Sequence, residues 1–198
     1  MAVCSERAGL SSDNAADRVL NRSAIDATIE VMKTMVEVIR RQSEQLFDNI
    51  GYVLDYTDDD LLARPICRWP LWRQIYHLLH SMDQWFINPF SYTERHPDGA
   101  MIRAIDTPVD AKPFSRAELR EYRGQVEEKI RTYLAGLTDA QLLEYPEDCP
   151  VSRLDLILGQ FRHVMYHVGM LHGCLVVETG EIPEYRGLGI GNPPTTPG

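Results

Sequence analysis

His163 and His167 lie four residues apart within the apolar stretch from Gly159 to Cys174, GQFRHVMYHVGMLHGC. On an α-helix, positions i and i+4 share a face with Cβ atoms roughly 5–6 Å apart, so two imidazoles at this spacing can converge on one metal ion. Two ligands do not complete a site. A zinc-type centre needs at least a third protein ligand, and a fourth position left to water distinguishes a catalytic centre from a structural one. The other histidines are His77, His80, His96 and His172. At about 100° of rotation per residue, His172 falls on the opposite flank of the helix from the pair. A lone histidine is most often simply a hydrogen-bonded side chain, so the paired spacing marks His163 and His167 out.

Four long helices must position these groups. In the first, Ile25, Ile29, Met32, Val36, Ile39, Ser43, Leu46, Ile50 and Val53 step by fours and threes, the seam of a bundle helix. Thr57 is placed to cap a short turn that Pro65 ends. The second long helix carries Trp72, Ile75, Leu79, Met82 and Phe86 and stops near Asn88-Pro89. Its other face, with Gln74, His77, Ser81 and Gln84, reads by periodicity as solvated, unless it lines a wet pocket between helices. Spacing does not separate His77 from His80 as a third ligand.

Phe90 to Phe114 has no apolar period and is long for a link between neighbouring helices, which implies a crossover. Ser115 and Glu118 form a capping box before the third helix, with Leu119, Tyr122, Val126, Ile130, Tyr133 and Leu137. Ser152 and Asp155 do the same for the fourth, whose seam is Ile157, Phe161, Val164, Val168, Leu171 and Leu175, and Gly180 ends it. Leu154, Leu158, Met165 and Val176 flank that seam, so the fourth helix should be the most buried. The punctuation from Tyr56 to Pro65 recurs from Leu137 to Pro146, suggesting two related helix hairpins. The fold class is all-α, a four-helix bundle of up-down-down-up connectivity with a long crossover between the second and third helices. Residues 1–22 read as a polar leader, 23–188 as the bundle domain and 189–198 as a tail.

Composition removes several functions. A net charge of −9 argues against capture of nucleic acid or anionic lipid, which needs a basic surface. No apolar run approaches the roughly 18 residues that span a bilayer, and the start lacks a secretory pattern, so a cytoplasmic protein is expected. Cys4, Cys67, Cys149 and Cys174 are scattered and read as reduced thiols. A di-iron carboxylate bundle needs Glu-x-x-His, and no histidine here has a glutamate three positions before it. GLGIG, from Gly187 to Gly191, opens no helix and is not a phosphate loop. Trp69, Trp72 and Trp85 read as core or interface packing residues, and Tyr76, Tyr166, Gln160 and Arg162 as packing or surface hydrogen-bonding groups.

Trp72 to His77, a Trp-x-x-x-x-His, together with Arg162-His163-Val-Met-Tyr-His167, resembles the DinB/YfiT-like superfamily of three-histidine four-helix bundles, over roughly Ala24 to Leu188. The resemblance implies His77, His163 and His167 as ligands of a divalent metal, commonly zinc or nickel, with open positions for water. Relatives often carry His-Gly-Gln or His-His after the pair, whereas this chain continues Val168-Gly169-Met170. Characterised relatives include thiol transferases and a thiol-dependent isomerase. The implied activity is therefore thiol S-transfer, in which a metal site activates a low-molecular-weight thiol toward a small electrophile. Water activation for hydrolysis, or a non-catalytic bundle stapled by metal, are the alternatives, and a homodimer is one assembly open to the chain.

Overall fold

A computed structural model describes residues 34–66, 69–104 and 110–187. The leader, the tail, the early seam positions Ile25, Ile29 and Met32, and Cys4 and Cys67 lie outside the described residues. Four long helices dominate: α1 (Met35–Asp55), α3 (Leu71–Trp85), α5 (Arg116–Ala135) and α7 (Arg153–Thr179). Between them come short helices α2 (Asp59–Ala63), α4 (Gly99–Arg103) and α6 (Asp139–Leu142). Pro65–Ile66 (β1) and Trp69–Pro70 (β2) make a two-residue antiparallel pair just before α3. The pair and α4 are both additions to the helices legible from periodicity, since elements this short carry no repeat to read.

The long helices form because each seam is buried. Phe47, Ile50 and Leu54 of α1, Ile75, Leu79, Met82 and Phe86 of and just after α3, Val126 and Ile130 of α5, and Ile157, Val164 and Val168 of α7 are at most 1% exposed. Each such side chain contributes about 1.5–3 kcal/mol on burial. Ends are fixed locally. Ser115 and Ser152 both close capping boxes, with Glu118 and Asp155, and Gly180 at φ 75° terminates α7 in the left-handed conformation that glycine adopts without a Cβ clash.

The cap of α2 differs from expectation. Asp58, not Thr57, accepts from Leu61 N at 2.8 Å, while the Thr57 hydroxyl turns back to donate to Leu54 O at 3.0 Å. Asp58 directly precedes the first helical residue, so its carboxylate reaches the free amide and Thr57 is left to finish α1. The short helices also serve the opposite half of the chain. Asp139 of α6 accepts from Met35 N and Val36 N at the start of α1, and Asp59 of α2 accepts from Arg116 N at the start of α5. Both carboxylates meet the positive, unsatisfied end of a helix.

The dense packing runs from α3 to α7 and α5, and from α1 to the same two helices. The sequence-consecutive pairs expected as hairpins, α1 with α3 and α5 with α7, are not among these close pairs; α2 and α6 instead carry the chain past the neighbouring position. Nor is the fourth long helix the most buried. Eleven of the fifteen residues of α3 are buried against eight of the twenty-seven of α7, where Leu158 and Val176 are 41% and 37% exposed. Helix α3 is covered by α7, α5, α4 and the β pair, whereas α7 is left open along one side.

Candidate metal centre

Two helices bring the cluster together. Helix α3 begins at Leu71, directly after Pro70, where a fixed φ and a missing amide donor suit a helix start. Gln74 donates to Ile66 O and Trp69 O, 2.8 and 3.0 Å away, which binds the β pair to the first turn. One turn on, His77 faces α7. The polar stripe that periodicity placed in solvent is thus turned inward: Gln74 is buried, Ser81 donates to Gln160 at 3.3 Å, and the Gln84 carbonyl oxygen is shielded.

His77, His163 and His167 offer one ligand nitrogen each, all within 4.8 Å of one another, and could hold a metal ion. The ring centroids are 5.6 Å apart for His77 and His163, 4.8 Å for His77 and His167, and 4.5 Å for His163 and His167. Tetrahedral zinc with bonds near 2.1 Å needs ligand nitrogens about 3.4 Å apart, within reach of small side-chain rotations. Two further observations fit a metal. The Nε2 atom of His163 is buried without a hydrogen-bond partner, a cost normally avoided unless something else satisfies the nitrogen. His77 Nδ1 lies 2.7 Å from Arg103 O, and a carbonyl only accepts, so Nδ1 carries a proton and in the neutral ring Nε2 keeps its lone pair.

The electrostatics agree. Burial, and then the neighbouring imidazoles, push His167 down to about 4, and burial followed by His77 lowers His163. Both are therefore neutral at pH 7, the state in which imidazole ligates. His172 is lowered by burial as well, but it stands outside the cluster.

The remaining histidines have other tasks. His80 is fully buried and its Nε2 lies 2.7 Å from Glu94, outside the three-histidine group, which separates it from His77. His96 packs its ring on Tyr76 and Phe114. Glu178, the nearest acid beyond the pair on α7, pairs with Arg64. Cys149 and Cys174 are buried and stand outside any disulfide. Tyr166 is 65% exposed with its ring 5.3 Å from that of His167, so it borders the cluster, whereas Tyr76 belongs to the core. Trp72 is in the core, Trp69 stacks on Arg73, and Trp85, the last residue of α3, is 42% exposed. Sequence reasoning missed the carbonyl of Arg103 altogether, since a backbone atom at the end of a short helix carries no residue signature.

A family model described as the DinB superfamily matches residues 35–171, which takes in both histidine-bearing helices as far as Leu171. The chain belongs to the DinB superfamily. Comparison with curated proteins and with solved structures found no match. Among the described residues, this DinB chain has no helix long and apolar enough to cross a membrane.

Proposed function

We propose that this DinB chain is a divalent-metal-dependent thiol S-transferase, with His77, His163 and His167 holding zinc or nickel. The observation that carries the reading is the group of three imidazoles with no fourth histidine, cysteine or carboxylate joining it among the described residues. A divalent ion bound by three neutral ligands keeps its charge, which favours thiolate over thiol and leaves room for a small ligand. The chain's own part is to hold the geometry. Arg103 O fixes the ring of His77, Ser81 and Gln160 close the next turn of the α3–α7 contact, and Tyr166 lies at the rim, where an electrophile would approach.

The same reading takes the fold as an up-down-down-up bundle. Glu44 pairs with Arg131 and Asp55 with Arg120, the order expected if α1 and α5 run in opposite senses. His77 meets His163 and His167 while Ser81 meets Gln160, which supports opposite senses for α3 and α7. Trp72 against Phe114 and Asp83 against Lys129 support a common sense for α3 and α5. Buried reduced thiols at Cys149 and Cys174 are in keeping with work in the cytoplasm.

Elemental analysis of untagged protein, then cobalt exchange, tests the proposal. One metal per chain that is lost in His163→Ala, a visible cobalt spectrum that shifts on adding a small thiol at constant pH, and turnover of that thiol with an alkyl halide are expected. In that turnover the C–S bond forms as halide leaves and the thiol proton goes to solvent. A stoichiometric metal with no spectral shift and no turnover would make the centre a staple between α3 and α7.

A further inference from the structure

Helix α4 is only five residues long, and its C-terminal carbonyls have no intrahelical partners. They are taken by two side chains of α3 one turn apart. Arg73 donates from Nε to Ile102 O at 2.8 Å and from its terminal nitrogen to Ala104 O at 2.9 Å and Met101 O at 3.3 Å. His77 takes the one between, Arg103 O, at 2.7 Å. Arg73 is 2% exposed, and its guanidinium carbon sits 4.9 Å from the centroid of the Trp69 ring. A guanidinium buried this deeply is costly, and its forked donors grip the backbone at the end of α4.

We infer that Arg73 is a positioning residue for the metal centre: by gripping the end of α4 it holds Arg103 O against His77 and so keeps the proton on Nδ1 and the lone pair of Nε2 toward His163 and His167. The inference rests on the three-histidine reading above. Ile102, 1% exposed, anchors α4 in the core, and Arg73 fixes where its last carbonyls point; without the grip, the His77 ring is free to exchange tautomers. Partners of this kind outside a ligand shell are worth about 10–100-fold in metal affinity.

The test uses the full chain with zinc as the probe. In metal-free wild type at a pH above the imidazole range, nitrogen-detected NMR of the His77 ring should show the Nδ1–H form; the Nε2–H form would overturn the inference. The Arg73 Nε–H and His77 Nδ1–H protons should exchange with solvent together, both slowly. Rapid exchange at His77 while Arg73 stays protected would show that the two are not coupled, and would likewise sink it. These two measurements need no variant, so a failure of Arg73 substitutions to fold does not remove the test. In Arg73→Lys and Arg73→Gln that keep wild-type helical circular dichroism, zinc affinity should drop about 10–100-fold and the Nε2–H form of His77 should appear. Affinity within twofold of wild type and an unchanged tautomer would refute the role of Arg73. Wild type that takes up no zinc in equilibrium dialysis would defeat the metal reading by itself, while the tautomer and exchange measurements would still judge the grip on α4.

Discussion

Lowering the pH should weaken zinc binding by this cluster far less than three ordinary imidazoles would allow. An imidazole of ordinary pKa, near 6.5, is about 97% protonated at pH 5, so each such ligand lowers the apparent affinity by a factor of about 30. Three of them would lower it by roughly 3 × 10⁴ between neutral pH and pH 5. His167, pushed down to about 4 by burial and its two neighbours, remains about 90% neutral at pH 5 and drops out of that product. The ceiling becomes about 10³, and the lowered His163 brings the loss below it. In a plot of log affinity against pH, the slope between pH 6 and 5 should stay at or below about two instead of approaching three. Chelator-competition titrations with zinc measure it, and the imidazole resonances of the metal-free protein give the midpoint of His167 directly. A slope near three, or a His167 midpoint near 6.5, would refute the argument that desolvation governs this site. The same depression has a stability consequence. His163 and His167 bind protons more weakly folded than unfolded, so the metal-free protein has their full contribution above about pH 6.5 and loses it as pH falls, that of His167 as pH passes about 4.

Two further perturbations probe the scaffold behind the centre. The Asp83 carboxylate is fully buried, and Arg95 and Lys129 each approach it to 2.7 Å while Tyr92 and Tyr122 donate to it from 3.2 and 3.3 Å. Asp83→Asn should cost about 2–4 kcal/mol, the lower part of the range for a broken buried pair because both cations keep solvent contact, and should lower Tm by roughly 5–12 °C; a change under about 2 °C by calorimetry would show that the network is not load-sharing. At Gly99 an added Cβ would lie 2.2 Å from Glu94 Oε1 and 2.7 Å from the Tyr76 hydroxyl. Gly99→Ala should therefore displace Glu94 from His80 and destabilise by about 1–3 kcal/mol, measured by urea unfolding; unaltered stability would mean that the 90–98 connection yields without cost.

What could be read from the chain by itself was whatever is local. The i, i+4 relation of His163 and His167, the Ser115 and Ser152 capping boxes and the stop at Gly180 depend only on helix geometry and near neighbours, and all four are present. The seams of the long helices were legible for the same reason, since a 3.6-residue period reports one buried face. Tertiary packing decided the rest. Periodicity assigned His77 to a solvated stripe because it scores polar residues as outward, but it does not register that α7 presents its own polar flank there, with Gln160 opposite Ser81 and the histidine pair opposite His77. His77 and His80 are only about 60° apart around α3, yet one meets α7 and the other is buried against Glu94 from the connection after α3; no spacing rule contains the position of that connection. The burial of α3 over α7 likewise depends on how many elements cover each helix, and the proton on His77 depends on a carbonyl delivered by a helix twenty-six residues away. Helical spacing is fixed by bonds within a few residues, whereas the tautomer, charge and company of a side chain are fixed by whatever the fold brings against it.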